Sequence, residues 1–182
     1  MFGNSYSMTR RFAMEYGTFL GVAWVVDFIL ITQGLQGNGI TTLLGFVLFM
    51  SLPILTIYLA YRFKQHQDAD ERTTFGRAAY FTMMLFMYAE LLCFVCEYVY
   101  FAFIDNGHLI NVFMNTLSDP MIVNEYKKMG MEQMLEASKA QMEQIAGMSP
   151  FNMAISLLGS NILTSIVLFV PTCIVAMMKR HG

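Results

Sequence analysis

Apolar residues fall in four long blocks along the chain, and the polar residues gather between them. The blocks span residues 12–33, 40–63, 78–104 and 150–178. Each exceeds the ~20 residues that a helix needs to cross a bilayer core. The pattern predicts an all-α protein, a four-helix transmembrane bundle in a single integral membrane domain over 1–182. The first two spans are joined by the short Gly-rich stretch QGLQGNG (33–39), the second and third by the polar loop KQHQDADERTTFGR (64–77). A helical segment, 105–149, separates the third span from the fourth.

The basic residues orient the bundle. With the N-terminus in the cytoplasm, Arg10, Arg11, Arg62, Lys64, Arg72, Arg77, Lys179 and Arg180 lie on the cytoplasmic side, against Lys127, Lys128 and Lys139 on the other. The positive-inside rule then puts both termini in the cytoplasm and 105–149 outside it. The first block follows two arginines, as a secretory signal would. It is longer than a signal's apolar region of about 7–15 residues, and no small-x-small cleavage site follows it. It is read as a retained span.

The outer segment carries its own helix signals. Asp119 followed by Pro120 is an N-cap with proline at the first helical position. In 130–148, Met131, Met134, Leu135, Ser138, Met142 and Ile145 recur at helical spacing, with Glu132, Glu136, Lys139 and Glu143 on other faces. The basic face of a membrane-surface helix is absent. Met131, Met134, Leu135, Met142 and Ile145 are therefore candidates for binding a partner or the bundle's own end. Ser149 and Pro150 open the fourth span, with Met148 and Met153 placed as a hydrophobic staple.

Carboxylates interrupt the spans. Glu90 and Glu97, seven residues apart, fall within about 20° of one helical azimuth. Glu97 lies about 10 Å from the outer end of its span, at 1.5 Å per residue. Asp27 stands at nearly the same depth in the first span, and no Lys, Arg or His shares that depth. Ionised carboxylates there are costly, and protonation with hydrogen bonding is the usual escape. Ser156, Ser160 and Thr164, every fourth residue of the fourth span, add hydroxyls beside Asn161. Asp27, Glu90, Glu97, Ser156, Ser160, Asn161 and Thr164 form a candidate intramembrane polar cluster. It is read either as a proton or cation path or as hydrogen bonding between helices.

Composition narrows the rest. Hydrophobic residues make up 56% of the 182-residue chain and charged residues 13%, with a formal net charge of −2. That leaves no basic surface for nucleic acid. Cys93 and Cys96 have Cys-x-x-Cys spacing inside a span, without the four ligands zinc needs, so they read as packing residues. The 17 methionines suit flexible apolar packing better than copper. No nucleophile triad, zinc helix, phosphate loop or dinucleotide fingerprint is present. The expectation is a non-enzyme with no catalytic residues, metal or cofactor.

YFAFID (100–105), the Met/Glu/Gln-rich MEQMLEASKAQMEQ (131–144), SPFNMAISLLGS (149–160) and the final basic pair at 179–180 together resemble the bacterial membrane-protein family catalogued as domain of unknown function 4199. The resemblance implies four spans and a bacterial inner-membrane location, and it supplies no catalytic residue. Two functions follow from the residues. One is a structural or regulatory membrane component that holds a membrane-protein partner or a second copy through its outer helical segment. The other is a small proton- or cation-handling transporter or channel using the intramembrane carboxylates.

Overall fold

Polar caps divide the chain into helices. The computed structural model describes residues 2–66 and 73–178, with side chains from Tyr6 onward. Arg72, Lys179 and Arg180, and residues 67–72 of the second connection, lie outside the described residues. Helix α1 spans Phe2–Leu35, α2 Gly39–Gln65 and α3 Phe75–Val99, which continues as a π-helical turn over Tyr100–Ile104. Helices α4 (His108–Leu117), α5 (Pro120–Lys128) and α6 (Glu132–Ala146) follow, and α7 runs Pro150–Met177. The Asn38 side chain accepts the Ile40 amide at 3.2 Å, Asp119 the Met121 amide at 2.7 Å and Ser149 the Asn152 amide at 3.3 Å. Each satisfies a backbone donor that a helix start leaves free. Helix α1 starts well before the apolar block at 12, because a polar helix can precede the membrane-spanning stretch.

Four helices, α1, α2, α3 with its π-turn, and α7, are long and apolar enough to cross a membrane. They form a ring in which α1 packs on α2 and α3, and α7 packs on α3 and α2. The consecutive helices α2 and α3 thus stand on a diagonal, and α1 lies parallel to α3. Their register is nearly constant. Arg77 Nε donates to Thr9 Oγ1 at 3.0 Å, and Gly17 meets Leu85 and Gly21 meets Ala89. The approach is very close. A Cβ on Gly17 would lie 2.6 Å from the Leu85 carbonyl oxygen, and one on Gly21 2.9 Å from that of Ala89. Small residues four apart permit such backbone contact. Across this α2–α3 diagonal, the Phe63 and Phe81 rings stack at 3.8 Å. With Leu59, Leu85 and Leu20 they fill the half of the bundle nearer the termini.

Helices α4, α5 and α6 form a cap on the opposite end. Helix α4 has no side-chain cap from the residue before it. Its start is set by Asn106 (φ 47°) and Gly107 (φ 77°), both left-handed, which turn the chain sharply. Buried Asp105 holds this corner. Its Oδ1 accepts the Leu109 amide at 3.0 Å and the Tyr100 hydroxyl at 3.3 Å. The Asp105 amide donates to the Tyr100 carbonyl at 2.9 Å, closing the π-turn. Asp105→Ala is expected to lower stability by about 1–2 kcal/mol, and Tyr100→Phe by about 1 kcal/mol. Thermal unfolding in detergent checks both. Equal stability of Asp105→Ala and wild type would show that the corner is held by packing alone.

Candidate functional site: a carboxylate cavity beneath the cap

In the capped half the four spanning helices leave a cavity of about 430 Å³. Helix α1 contributes Trp24, Asp27, Phe28 and Ile31, one face at i, i+3, i+4 and i+7. Helix α3 and its π-turn contribute Cys93, Glu97 and Phe101, four residues apart. Helix α7 contributes Leu157, Asn161, Thr164 and Leu168. Helix α2 contributes Phe49, Met50, Leu52 and Pro53. The parallel α1–α3 register brings Asp27 level with Glu97, because each residue of both helices advances by the same rise.

The two acids are nearly sealed. Asp27 is 6% exposed and Glu97 4%. Asn161 Nδ2 donates to Glu97 Oε1 at 3.3 Å. Glu97 Oε2 and Asp27 Oδ1 have no hydrogen-bond partner among the described residues, and no hydrogen bond joins the two acids. The cavity lining contains no Lys, Arg or His. Other donors are already used. The Thr32 hydroxyl donates to the Phe28 carbonyl at 2.9 Å and that of Thr164 to the Ser160 carbonyl at 3.2 Å. The site therefore holds a surplus of acceptors and negative charge capacity.

The expected polar cluster is divided by the fold. Asp27, Glu97, Asn161 and Thr164 line one cavity. Glu90 does not. It lies half-buried near Ser165 in a separate groove between α3 and α7, lined by Met83, Met87 and Ile166. The Ser165 hydroxyl makes no hydrogen bond there. Glu90 thus sits at the α3–α7 seam, outside the central cavity that Asp27 and Glu97 share. The buried stripe of α3 passes Thr82, Phe86, Ala89, Cys93 and Glu97. Its steps of mostly four advance it about 60° around the helix in those fifteen residues, so it reaches Glu97 and misses Glu90.

Ser156 and Ser160 are corrected likewise. Both are exposed, and the Ser160 hydroxyl bonds to its own helix at the Ser156 carbonyl, 3.4 Å away. Helix α7 touches the bundle on one side, and its inward stripe runs Leu157, Asn161, Ser165, Leu168 and Thr172, one residue out of phase with the serines.

The family model described as Protein of unknown function (DUF4199) matches residues 15–180. The chain belongs to that family. No curated protein and no solved structure matches it. The family description names no activity, so the cavity is interpreted from its own chemistry. The protein is a multi-pass membrane protein, and the matched stretch takes in all the cavity residues.

The cap closes this cavity with one apolar layer. Phe101, Leu109 and Leu157 line the carboxylate cavity on one side and a second void of about 400 Å³ under α6 on the other. The Phe28 ring meets Phe101 edge-on at 6.0 Å and Tyr100 at 5.1 Å. Much of the apolar stripe on α6 is consumed in building the cap. Leu135 is buried, and Met142 and Ile145 line the void toward α4, while Met131 and Met134 remain exposed. Among the described residues, no group of three or more His, Cys, Asp or Glu is arranged to hold a metal.

Sequence reasoning missed several residues that build the site. Trp24, Phe28 and Phe101 read as ordinary apolar positions. The signal for the first two was their helical spacing from Asp27, three residues before it and one after. Gly17-x-x-x-Gly21 was a visible small-residue pair that marks the α1–α3 contact. The π-turn that aims Phe101 had no local signal.

Proposed function

We propose that the protein handles protons or cations through the Asp27–Glu97 cavity, as a small transporter or channel. One observation carries this reading: two carboxylates more than nine-tenths buried each present an unpartnered oxygen to one cavity that has no cationic side chain. A carboxylate walled by hydrocarbon is unfavourable until a proton or a cation reaches it. Interhelical hydrogen bonding accounts for Glu97 Oε1 and leaves the other oxygens unexplained. The tightly packed half around Phe63 and Phe81 blocks one direction, and a single apolar layer, Phe101, Leu109 and Leu157, blocks the other. This supports access within the capped half of the bundle and not from the half nearer the termini. The distribution of Lys and Arg supports the capped end as extracytoplasmic and both termini as cytoplasmic.

Purified protein reconstituted in liposomes with a pH-sensitive dye tests the reading. Proton or cation flux is expected, reduced at least tenfold in Asp27→Asn and Glu97→Gln. Equal flux in wild type and both variants would overturn it.

A second reading, a partner or second copy held by the cap, is supported by the exposed Met131 and Met134, and by Met121 at 75% exposure. Met134→Cys is expected under that reading to crosslink to another chain in intact membranes. A protein that stays monomeric on oxidation argues against self-association there.

A further inference from the structure

We infer that the cavity takes an organic cation with an apolar body, which reaches it sideways from the membrane between α2 and α7. The inference rests on the cation-handling reading and names the class of its ligand.

Size is the first argument. A proton needs no space of about 430 Å³, whereas pockets of about 300–1,000 Å³ are the usual size for small organic ligands. A bare inorganic cation is poorly served, since hard cations take six or more oxygens at close range. Here the unpartnered carboxylate oxygens, Asp27 Oδ1 and Glu97 Oε2, stand in a wall that is otherwise almost wholly apolar.

The lining is the second. Trp24, Phe28, Phe49 and Phe101 bring four aromatic rings to the same space as the two acids. Ring faces attract weakly hydrated organic cations, most strongly where water is excluded. Carboxylates and aromatic rings together, without a competing Lys or Arg, are selective for positive charge spread over an apolar group.

The opening is the third. Phe49, Met50 and Thr164 line the cavity, yet are exposed on the outside of the bundle. They belong to α2 and α7, whose residues Thr56, Thr172 and Cys173, nearer the termini, are buried. Pro53 stands at the junction and lines the cavity itself. With α2 and α7 spanning a bilayer, the gap opens toward lipid, from which a lipophilic cation can reach it.

Trp24 is the only tryptophan of the chain, so its fluorescence reports occupancy directly. The experiment titrates purified protein in detergent with tetraphenylphosphonium and, separately, with tetraphenylborate, an anion of the same size and shape. Radiolabelled probe gives an independent binding isotherm. Saturable binding of the cation with quenching of Trp24 is expected, together with at least tenfold weaker binding of the anion. Asp27→Asn and Glu97→Gln are expected each to weaken cation binding at least tenfold. Glu90→Gln, which alters a residue outside the cavity, is expected to leave it unchanged.

No saturable cation binding to wild type, or equal binding of the two probes, overturns the inference without reference to any variant. So does wild-type affinity in both acid variants. If liposome flux still depends on Asp27 and Glu97 while tetraphenylphosphonium fails to bind, the ligand class is wrong and the cation-handling reading stands. If both measurements are negative, both fail.

Discussion

Gly17→Leu is expected to destabilise the bundle by about 3 kcal/mol, at the upper end of what overpacking costs. The reason is geometric. Even a single Cβ at this position comes within 2.6 Å of the Leu85 carbonyl oxygen and 2.8 Å of the Tyr88 Cβ. The nearer atom is backbone inside a helix, so no rotamer change relieves the clash, and α1 must move away from α3. That separation disturbs everything set by their register, including the level placement of Asp27 and Glu97. Gly21→Leu should behave alike, since its Cβ would meet the Ala89 backbone. Gly159 supplies the control, because a Cβ there meets nothing within 4 Å. Gly159→Ala should be neutral or raise stability by up to about 1 kcal/mol through helix propensity. Unfolding in graded denaturing detergent reads all three variants. A folded Gly17→Leu protein of wild-type stability would show that α1 and α3 are not in backbone contact.

Asp27→Leu is expected to move stability and function in opposite directions. Its carboxylate is buried with Oδ1 unpartnered, and such a group costs about 1–3 kcal/mol. Leucine fills similar space and has no polar atom to satisfy. A gain of about 1 kcal/mol is the expected result, with loss of cation binding and flux. Glu97→Gln should be closer to neutral, because its side-chain carbonyl still accepts the bond from Asn161. A site that weakens the fold holding it is the signature of a functional residue. Thermal unfolding of Asp27→Leu against wild type decides the point. A clear fall in stability would mean that Asp27 holds helices together, and the transport reading would lose its basis.

Much of this architecture is legible in the amino-acid order. Hydrophobic block length fixed the number of spans, because a bilayer core sets how long an apolar helix must be. Asp119–Pro120 and Ser149–Pro150 marked helix starts that the fold uses as caps, since capping depends on residues within one turn. The matched depth of Asp27 and Glu97 was also legible, because depth along a helix is residue count multiplied by a constant rise.

Direction around each helix was another matter. Glu90 and Glu97 share an azimuth on an isolated helix, yet one lies at the α3–α7 seam and the other in the central cavity. Ser156 and Ser160 form a regular stripe, but α7 turns a neighbouring stripe inward. Which face is buried depends on how helices cross, and that depends on contacts such as Gly17 with Leu85, between residues far apart in the chain. The diagonal placement of α2 and α3, the gap between α2 and α7, and the π-turn that brings Phe101 over the acids share this origin. Sequence alone determined how many helices cross, where they start and how deep each polar group sits, because those are local properties of one helix in a slab of fixed thickness. Only the tertiary structure decided which polar groups meet, because that is a property of packing between helices.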